Sequence, residues 1–133
     1  MNKRFITIMT VLILGSLVLA ACGGTATETE ATKKIKVCQI TDTGGIDDKS
    51  FNATAWKGVQ DAMDKLGVEG KYLESKEVAD YEKNLNAFIE EKCDLIITVG
   101  FLIGDATKAA AEANPDMKFS IVDYSYDPPI PNV

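Results

Sequence analysis

Short apolar runs and stretches of helical periodicity alternate along residues 35–123, and this alternation restricts the fold more than any other feature of the sequence. The apolar runs predict four strands, at residues 35–41, 72–75, 94–99 and 118–123. The periodic stretches predict three helices, at residues 50–66, 79–92 and 104–113. Strands that alternate with helices are joined by right-handed crossovers and lie parallel in one sheet. The sequence therefore predicts an α/β fold with a doubly wound parallel sheet.

The ends of the predicted helices are marked by residues that favour helix termination. Gly67 follows the first helix as an expected C-cap, and Pro115 ends the third, which is rich in alanine. In the first helix, apolar residues recur at three- and four-residue steps, and this stripe begins with Phe51. On periodicity alone, Phe51 is therefore predicted to be a core residue.

The N-terminus has the features of a bacterial export signal. Lys3 and Arg4 precede an uncharged, mostly apolar run that ends in Leu-Ala-Ala-Cys at residues 19–22. These four residues resemble a lipobox, in which the cysteine is acylated and becomes the first mature residue; an ordinary cleaved signal is the alternative. We predict a lipoprotein signal peptide at residues 1–21 and a lipid anchor on Cys22. The anchor would hold the protein at the extracytoplasmic face of the cell membrane.

The segment after the cysteine is polar and has no hydrophobic periodicity. Residues 23–32 read GGTATETEAT, which is typical of a flexible tether. We therefore predict three regions: the signal peptide, a lipidated cysteine with its tether at residues 22–34, and an α/β lobe at residues 35–133.

The charge balance argues against several classes of function. Removal of residues 1–21 takes away two basic residues and no acidic one, so 14 basic and 20 acidic residues become 12 and 20. A chain this acidic is not expected to bind nucleic acid. It also contains no histidine, a common general base and the commonest metal ligand. We predict a protein that is not an enzyme and that needs no cofactor or metal.

The sequence contains two cysteines in addition to the predicted anchor, Cys22. Cys38 lies within an apolar strand and Cys93 just ahead of another. An exported protein can pair such thiols, but a disulfide demands strict geometry. The sequence therefore favours two buried free thiols and leaves a disulfide as the alternative.

The segment TDTGGIDDKSFN, residues 41–52, follows the first predicted strand, where open parallel sheets bind their ligands. It has neither the spacing of a phosphate-binding loop nor that of a calcium loop. Asp42 ends the first strand and Asp123 ends the fourth, so both carboxylates are expected to face one crevice. There they would accept hydrogen bonds from neutral donors such as sugar hydroxyls or a base N–H.

The other polar residues near this loop are expected either to cap the following helix or to assist ligand binding. Asp47 and Asp48 precede a helix, so both are expected to serve its cap and its dipole. Asn52 lies about 100° around the helix from Phe51. If the aromatic ring faced the crevice, the Asn52 amide could bind a polar edge beside it.

Four segments together resemble the BMP family of basic membrane lipoproteins, a group of PnrA-like purine nucleoside-binding lipoproteins. They are residues 19–22, 41–60, 94–101 and 119–126. The resemblance implies the first lobe of a type I periplasmic-binding-protein fold, in which two lobes close on a ligand for an ABC transporter. It also implies that Phe51 stacks on the purine, which replaces the core interpretation. By the same resemblance, Asp42 and Asn52 bind the nucleoside and Asp123 binds ribose hydroxyls.

Members of that family are much longer than this chain. We therefore expect residues 35–133 to be a partial first lobe whose second lobe is missing. The implied function is a lipid-anchored solute-binding protein that binds a purine nucleoside, or a related small ligand, and delivers it to an ABC transporter permease. Two alternatives stay open: a metal-dependent hydrolase or phosphotransfer enzyme that uses Asp42 and Asp47, and a surface sensor or adhesin.

Overall fold

The computed structural model describes residues 33–133. The predicted signal peptide, Cys22 and most of the predicted tether lie outside these residues. The order of elements is β1 (Lys36–Ile40), α1 (Phe51–Leu66), β2 (Glu69–Leu73), α2 (Asp80–Glu90), β3 (Leu95–Val99), α3 (Gly104–Ala113) and β4 (Lys118–Val122). A short 3₁₀ turn, Phe101–Ile103, leads into α3. None of the helices in this part of the chain is long and apolar enough to cross a membrane.

The four strands form one parallel sheet in the order β2-β1-β3-β4. Helix α1 packs on one face, where its Val59 approaches Gly70 of β2. Helices α2 and α3 cover the other face and bury the main apolar cluster. Helices on both faces of a parallel sheet confirm the predicted α/β fold.

The core lies between the central strands and helix α2. Cys38 and Ile40 of β1 and Ile96 of β3 are completely buried there, against Leu85 and Phe88 of α2. The central strands β1 and β3 thus sit on a close-packed face, which fixes the position of the loops that follow them.

The cysteines correct one expectation from the sequence. Cys38 and Cys93 form a disulfide, with their Cα atoms 6.1 Å apart. Cys93 lies just before β3, and the next residue donates its backbone N–H to the carbonyl of Lys36 at 2.8 Å, which draws this turn against β1. The expectation of free thiols was wrong because the sequence does not reveal that β1 and β3 are neighbours.

Strand β2 begins at Glu69, three residues before the predicted position. Its sequence, EGKYL, is mostly exposed because β2 is an edge strand. An edge strand does not need an apolar run, so the hydrophobic pattern located it poorly.

Candidate ligand-binding site

The candidate site lies at the carboxyl edge of the sheet, where the segments after β1, β3 and β4 meet. In the sheet register Ile40 pairs with Thr98, so Asp42 and Gly100, each two positions further on, lie side by side. Val99 pairs with Val122, so Gly100 in turn lies beside Asp123. The two predicted carboxylates therefore start from backbone positions about 10 Å apart, two strand spacings, with a glycine between them.

Gly100 keeps the space between the two acidic residues open. Its φ of 95° and ψ of 154° lie in a region that is essentially restricted to glycine. A Cβ atom at this position would lie 2.6 Å from Oδ2 of Asp42. Sequence analysis missed this residue, although a glycine directly after a buried strand is a sign of close backbone approach.

Asp42 is partly buried and only one of its oxygens is engaged. Its Oδ1 accepts hydrogen bonds from the backbone N–H of Gly44 at 2.8 Å and from Nδ2 of Asn52 at 2.7 Å. Among residues 33–133, no donor lies within hydrogen-bond distance of its Oδ2. Asp42 can therefore offer that second oxygen to a ligand.

The side chain of Asn52 lies beneath the loop and is 1% exposed. Its Nδ2 donates to Oδ1 of Asp42 and to Oδ2 of Asp48 at 3.1 Å, and its Oδ1 accepts the backbone N–H of Asp42 at 3.2 Å. Both amide protons are thus used within the protein. The resemblance implies that Asn52 binds the nucleoside; to donate a hydrogen bond to it, the amide would have to leave one of the two carboxylates.

Asp48 caps the first turn of α1, as the sequence predicts. Its two oxygens accept the backbone N–H groups of Ser50, Asn52 and Ala53 at 2.9–3.0 Å. Partial burial by itself would raise the pKa of Asp48, but these backbone hydrogen bonds, together with the Asn52 amide, hold it below its usual value. Asp47, by contrast, is exposed.

Phe51 is the first residue of α1, and 52% of its surface is exposed. The core position predicted from periodicity is therefore wrong. Its ring lines an open pocket of about 360 Å³ together with Ser50, Thr54, Ala55 and Val122. Asp123 follows Val122 directly, is exposed and has a φ of 65°. An exposed ring in such a pocket can stack on a flat ligand.

Other apolar side chains are exposed at the same edge of the sheet. Phe101 and Leu102 follow β3 and are 62% and 48% exposed, and Tyr124 follows β4 and is 41% exposed. Phe101 and Leu102 lie beyond the strand predicted at residues 94–99, and neither their burial nor their exposure was predicted from the sequence. With Phe51, these three side chains leave exposed apolar surface on the segments that follow β1, β3 and β4.

Two buried polar atoms lie near the loop. Within residues 33–133, the hydroxyl of Tyr81 and Oε1 of Gln39 are the buried side-chain atoms that have no hydrogen-bond partner. Burial, and after it the negative charge of Asp42, raises the pKa of Tyr81, and the neighbouring Thr43 offsets part of this increase. The Nε2 of Gln39 donates to the backbone carbonyl of Asn52 at 3.0 Å and supports the start of α1.

A second cavity, of about 340 Å³, lies between α3 and residues 124–131. Asp105 and Lys108 line one side of it, and Tyr124 and Tyr126 line the other. None of the four residues predicted to bind a ligand contributes to this cavity. It adjoins the candidate site at Tyr124, the residue after Asp123.

Comparisons with known proteins agree with this architecture. Residues 35–131 match the family Bmp, described as ABC transporter substrate-binding proteins, PnrA-like. The chain is 37% identical to the CD4+ T-cell-stimulating antigen of Listeria innocua, in a match that covers 96% of this chain and 39% of that protein. It is 34% identical to the ABC transporter nucleoside-binding protein BmpA of Lactococcus lactis, over 92% of this chain and 37% of that protein.

A solved structure extends the likeness from sequence to fold. An ABC transporter solute-binding protein from Aeropyrum pernix K1 is 32% identical, with a TM-score of 0.63, over 68% of this chain and 25% of that one. The chain thus spans less than two fifths of the length of the two curated relatives. On the family match and these identities, the chain belongs to the Bmp family of PnrA-like ABC transporter substrate-binding proteins.

Proposed function

We propose that this chain is the ligand-binding first lobe of a lipid-anchored solute-binding protein that takes up purine nucleosides for an ABC transporter. The observation that carries the proposal is the row of Asp42, Gly100 and Asp123 across three adjacent strand ends, beside the exposed ring of Phe51. The family description and the name of the Lactococcus lactis relative support the same class of ligand.

Each part of a nucleoside has a matching group at this edge of the sheet. The ring of Phe51 would stack on the purine, and the free oxygen of Asp42 would accept a base N–H. Asp123 would accept hydrogen bonds from ribose hydroxyls. The ligand would be bound, enclosed by a second lobe and released unchanged to the permease, so no bond is made or broken.

The anchoring part of the proposal depends on the sequence alone. Cys22 would be acylated on its thiol and become the first residue after cleavage at Ala21, and the polar residues that follow would tether the lobe to the membrane. More than one acyl chain is needed for stable membrane attachment, which is what the modification of such a cysteine supplies.

A titration with inosine, followed by NMR chemical shifts, tests the site. Removal of a stacked aromatic ring weakens base binding by about 1–3 kcal/mol, so Phe51→Ala should raise the Kd by roughly 5- to 150-fold. Asp123→Asn should weaken binding as well. The control is Leu66→Ala, which removes an even more exposed apolar side chain at the far end of the same helix and should leave the Kd unchanged.

Two results would overturn the site assignment. One is an unchanged Kd for both Phe51→Ala and Asp123→Asn. The other is a set of inosine-induced shifts that falls on Asp105, Lys108 and residues 126–131 and leaves Asp42 and Phe51 unshifted. A Kd that requires Mg²⁺, or conversion of the added nucleoside or nucleotide, would instead favour the metal-dependent enzyme.

A further inference from the structure

We propose that Asp48 is a positioning residue for ligand binding: it fixes the amide of Asn52, which in turn fixes Asp42 so that a single oxygen faces the ligand. This inference rests on the function proposed above. It gives Asn52 and Asp48 roles that act through Asp42, without a direct contact between either side chain and the ligand.

The first step is the attachment of Asp48 to the helix. Its Oδ1 accepts the backbone N–H groups of Ser50 and Ala53, and its Oδ2 accepts the backbone N–H of Asn52. These bonds anchor the carboxylate at the N-terminus of α1. Asp48 cannot turn away unless the first turn of the helix opens.

The second step is the planar amide of Asn52. One of its two Nδ2 protons is donated to Oδ2 of Asp48, and the other is donated to Oδ1 of Asp42. Because the amide is planar, the first bond fixes the direction of the second. The carbonyl oxygen of the same amide accepts the backbone N–H of Asp42, so backbone and side chain of Asp42 are held together.

The third step is that only one oxygen of Asp42 remains free to accept a hydrogen bond from a ligand. Oδ1 already accepts two hydrogen bonds, from Gly44 and Asn52, which fill its two lone-pair directions. Oδ2 lies against the backbone of Gly100, where a side chain would block it. Asp42 is thus arranged to accept one ligand N–H or O–H, whereas a guanidinium or amidine, which needs both oxygens, does not fit this arrangement.

The substitution Asp48→Asn removes the contacts of Asp48 to Asn52 and leaves part of the cap. Asparagine keeps one oxygen for the N–H groups of Ser50 and Ala53, but its NH₂ group can accept neither the backbone N–H nor the amide proton of Asn52. In the inosine titration we expect the Kd to rise about tenfold, a common size of coupling between residues in one network. Asp47→Asn makes the same change of charge on the exposed neighbour and should leave the Kd unchanged.

A double-mutant cycle tests whether Asp48 acts through Asp42. In an Asp42→Asn background, Asp48→Asn should cause no further loss of inosine affinity. Losses that add in full would overturn the proposal, because they would mean that Asp48 acts independently of Asp42. A wild-type Kd for Asp48→Asn alone would overturn it too.

A measurement without ligand keeps the inference separate from the proposed function. Three-bond scalar couplings report the χ1 rotamer of Asp42, which we expect to be single in the wild type and averaged in Asp48→Asn. If inosine fails to bind the wild type, the proposed function fails, and these couplings still decide the positioning role. A rotamer that stays single in Asp48→Asn overturns it.

Discussion

Asp42 and Gly100 lie side by side at the ends of neighbouring strands, and the side chain at one position limits the size of the side chain that the other can carry. The carboxylate of Asp42 occupies the space that any side chain at residue 100 would fill. The backbone of Gly100 also has a conformation that other residues avoid. A small residue between two acids therefore gives the proposed site its open centre.

The substitution Gly100→Ala should damage both stability and binding. The strained backbone and the clash with Asp42 should lower the free energy of unfolding by about 1–3 kcal/mol, measured by urea denaturation. The inosine Kd should rise as Asp42 is displaced. Gly58→Ala is the matched control, since a Cβ there meets no atom within 4 Å, and it should stabilise the exposed middle of α1 slightly. Equal stability of the two variants would contradict this account.

The sequence located the acidic residues of the site but not the contacts between them. Asp42 and Asp123 could be placed at strand ends because apolar runs stop there. The burial of Asn52 depends on how α1 meets the loop, which no spacing of residues reveals. The role of Gly100 depends on β1 and β3 being neighbours, and this adjacency is a property of the sheet.

Helix α1 joins the candidate site to the scaffold, and its two ends are built differently. Gly67 ends the helix in a left-handed conformation, as the sequence predicts, and its N–H is donated to the carbonyl of Met63. The first turn carries Phe51 out past the sheet edge, where the apolar stripe no longer meets a core. Periodicity therefore predicted the length of this helix well and the burial of its first residue wrongly.

The cap formed by Asp48 predicts a pH dependence for the stability of α1. Because the pKa of this carboxyl is lowered in the folded state, its stabilising effect is complete at neutral pH. It is lost as the pH falls through the usual carboxyl range towards the lowered folded value. In urea denaturation, Asp48→Asn should be less stable than the wild type at pH 7, and the difference should shrink on acidification. A difference that stays constant with pH would exclude this cap as its source.

At the scale of the whole lobe, the disulfide ties β1 to the turn just before β3, on the face covered by α2. Cys38 and Cys93 are 55 residues apart in sequence, so the bond closes a loop that contains α1, β2 and α2. The sequence provided both cysteines but not their pairing, because the thiols' proximity depends on the order of the strands. The overall α/β class, in contrast, followed directly from the alternation of strands and helices.

Replacement of both cysteines by serine should lower the free energy of unfolding by about 2–5 kcal/mol, because the unfolded chain gains freedom when such a loop is opened. Thermal unfolding followed by circular dichroism measures the effect. A reducing agent should lower the Tm of the wild type and leave that of the double variant unchanged. If reduction leaves the wild-type Tm unchanged as well, the disulfide does not stabilise the lobe.

The glycine-separated pair of strand-end acids also has a consequence for selectivity by size. On the proposed assignment, one carboxylate holds the heterocycle and the other, two strands away, holds the sugar. A free nucleobase could reach only the first of them, and a free pentose only the second. The sheet itself would thereby favour the intact nucleoside over the free base or the free sugar. The reason is that the spacing between Asp42 and Asp123 is set by the positions of the strands.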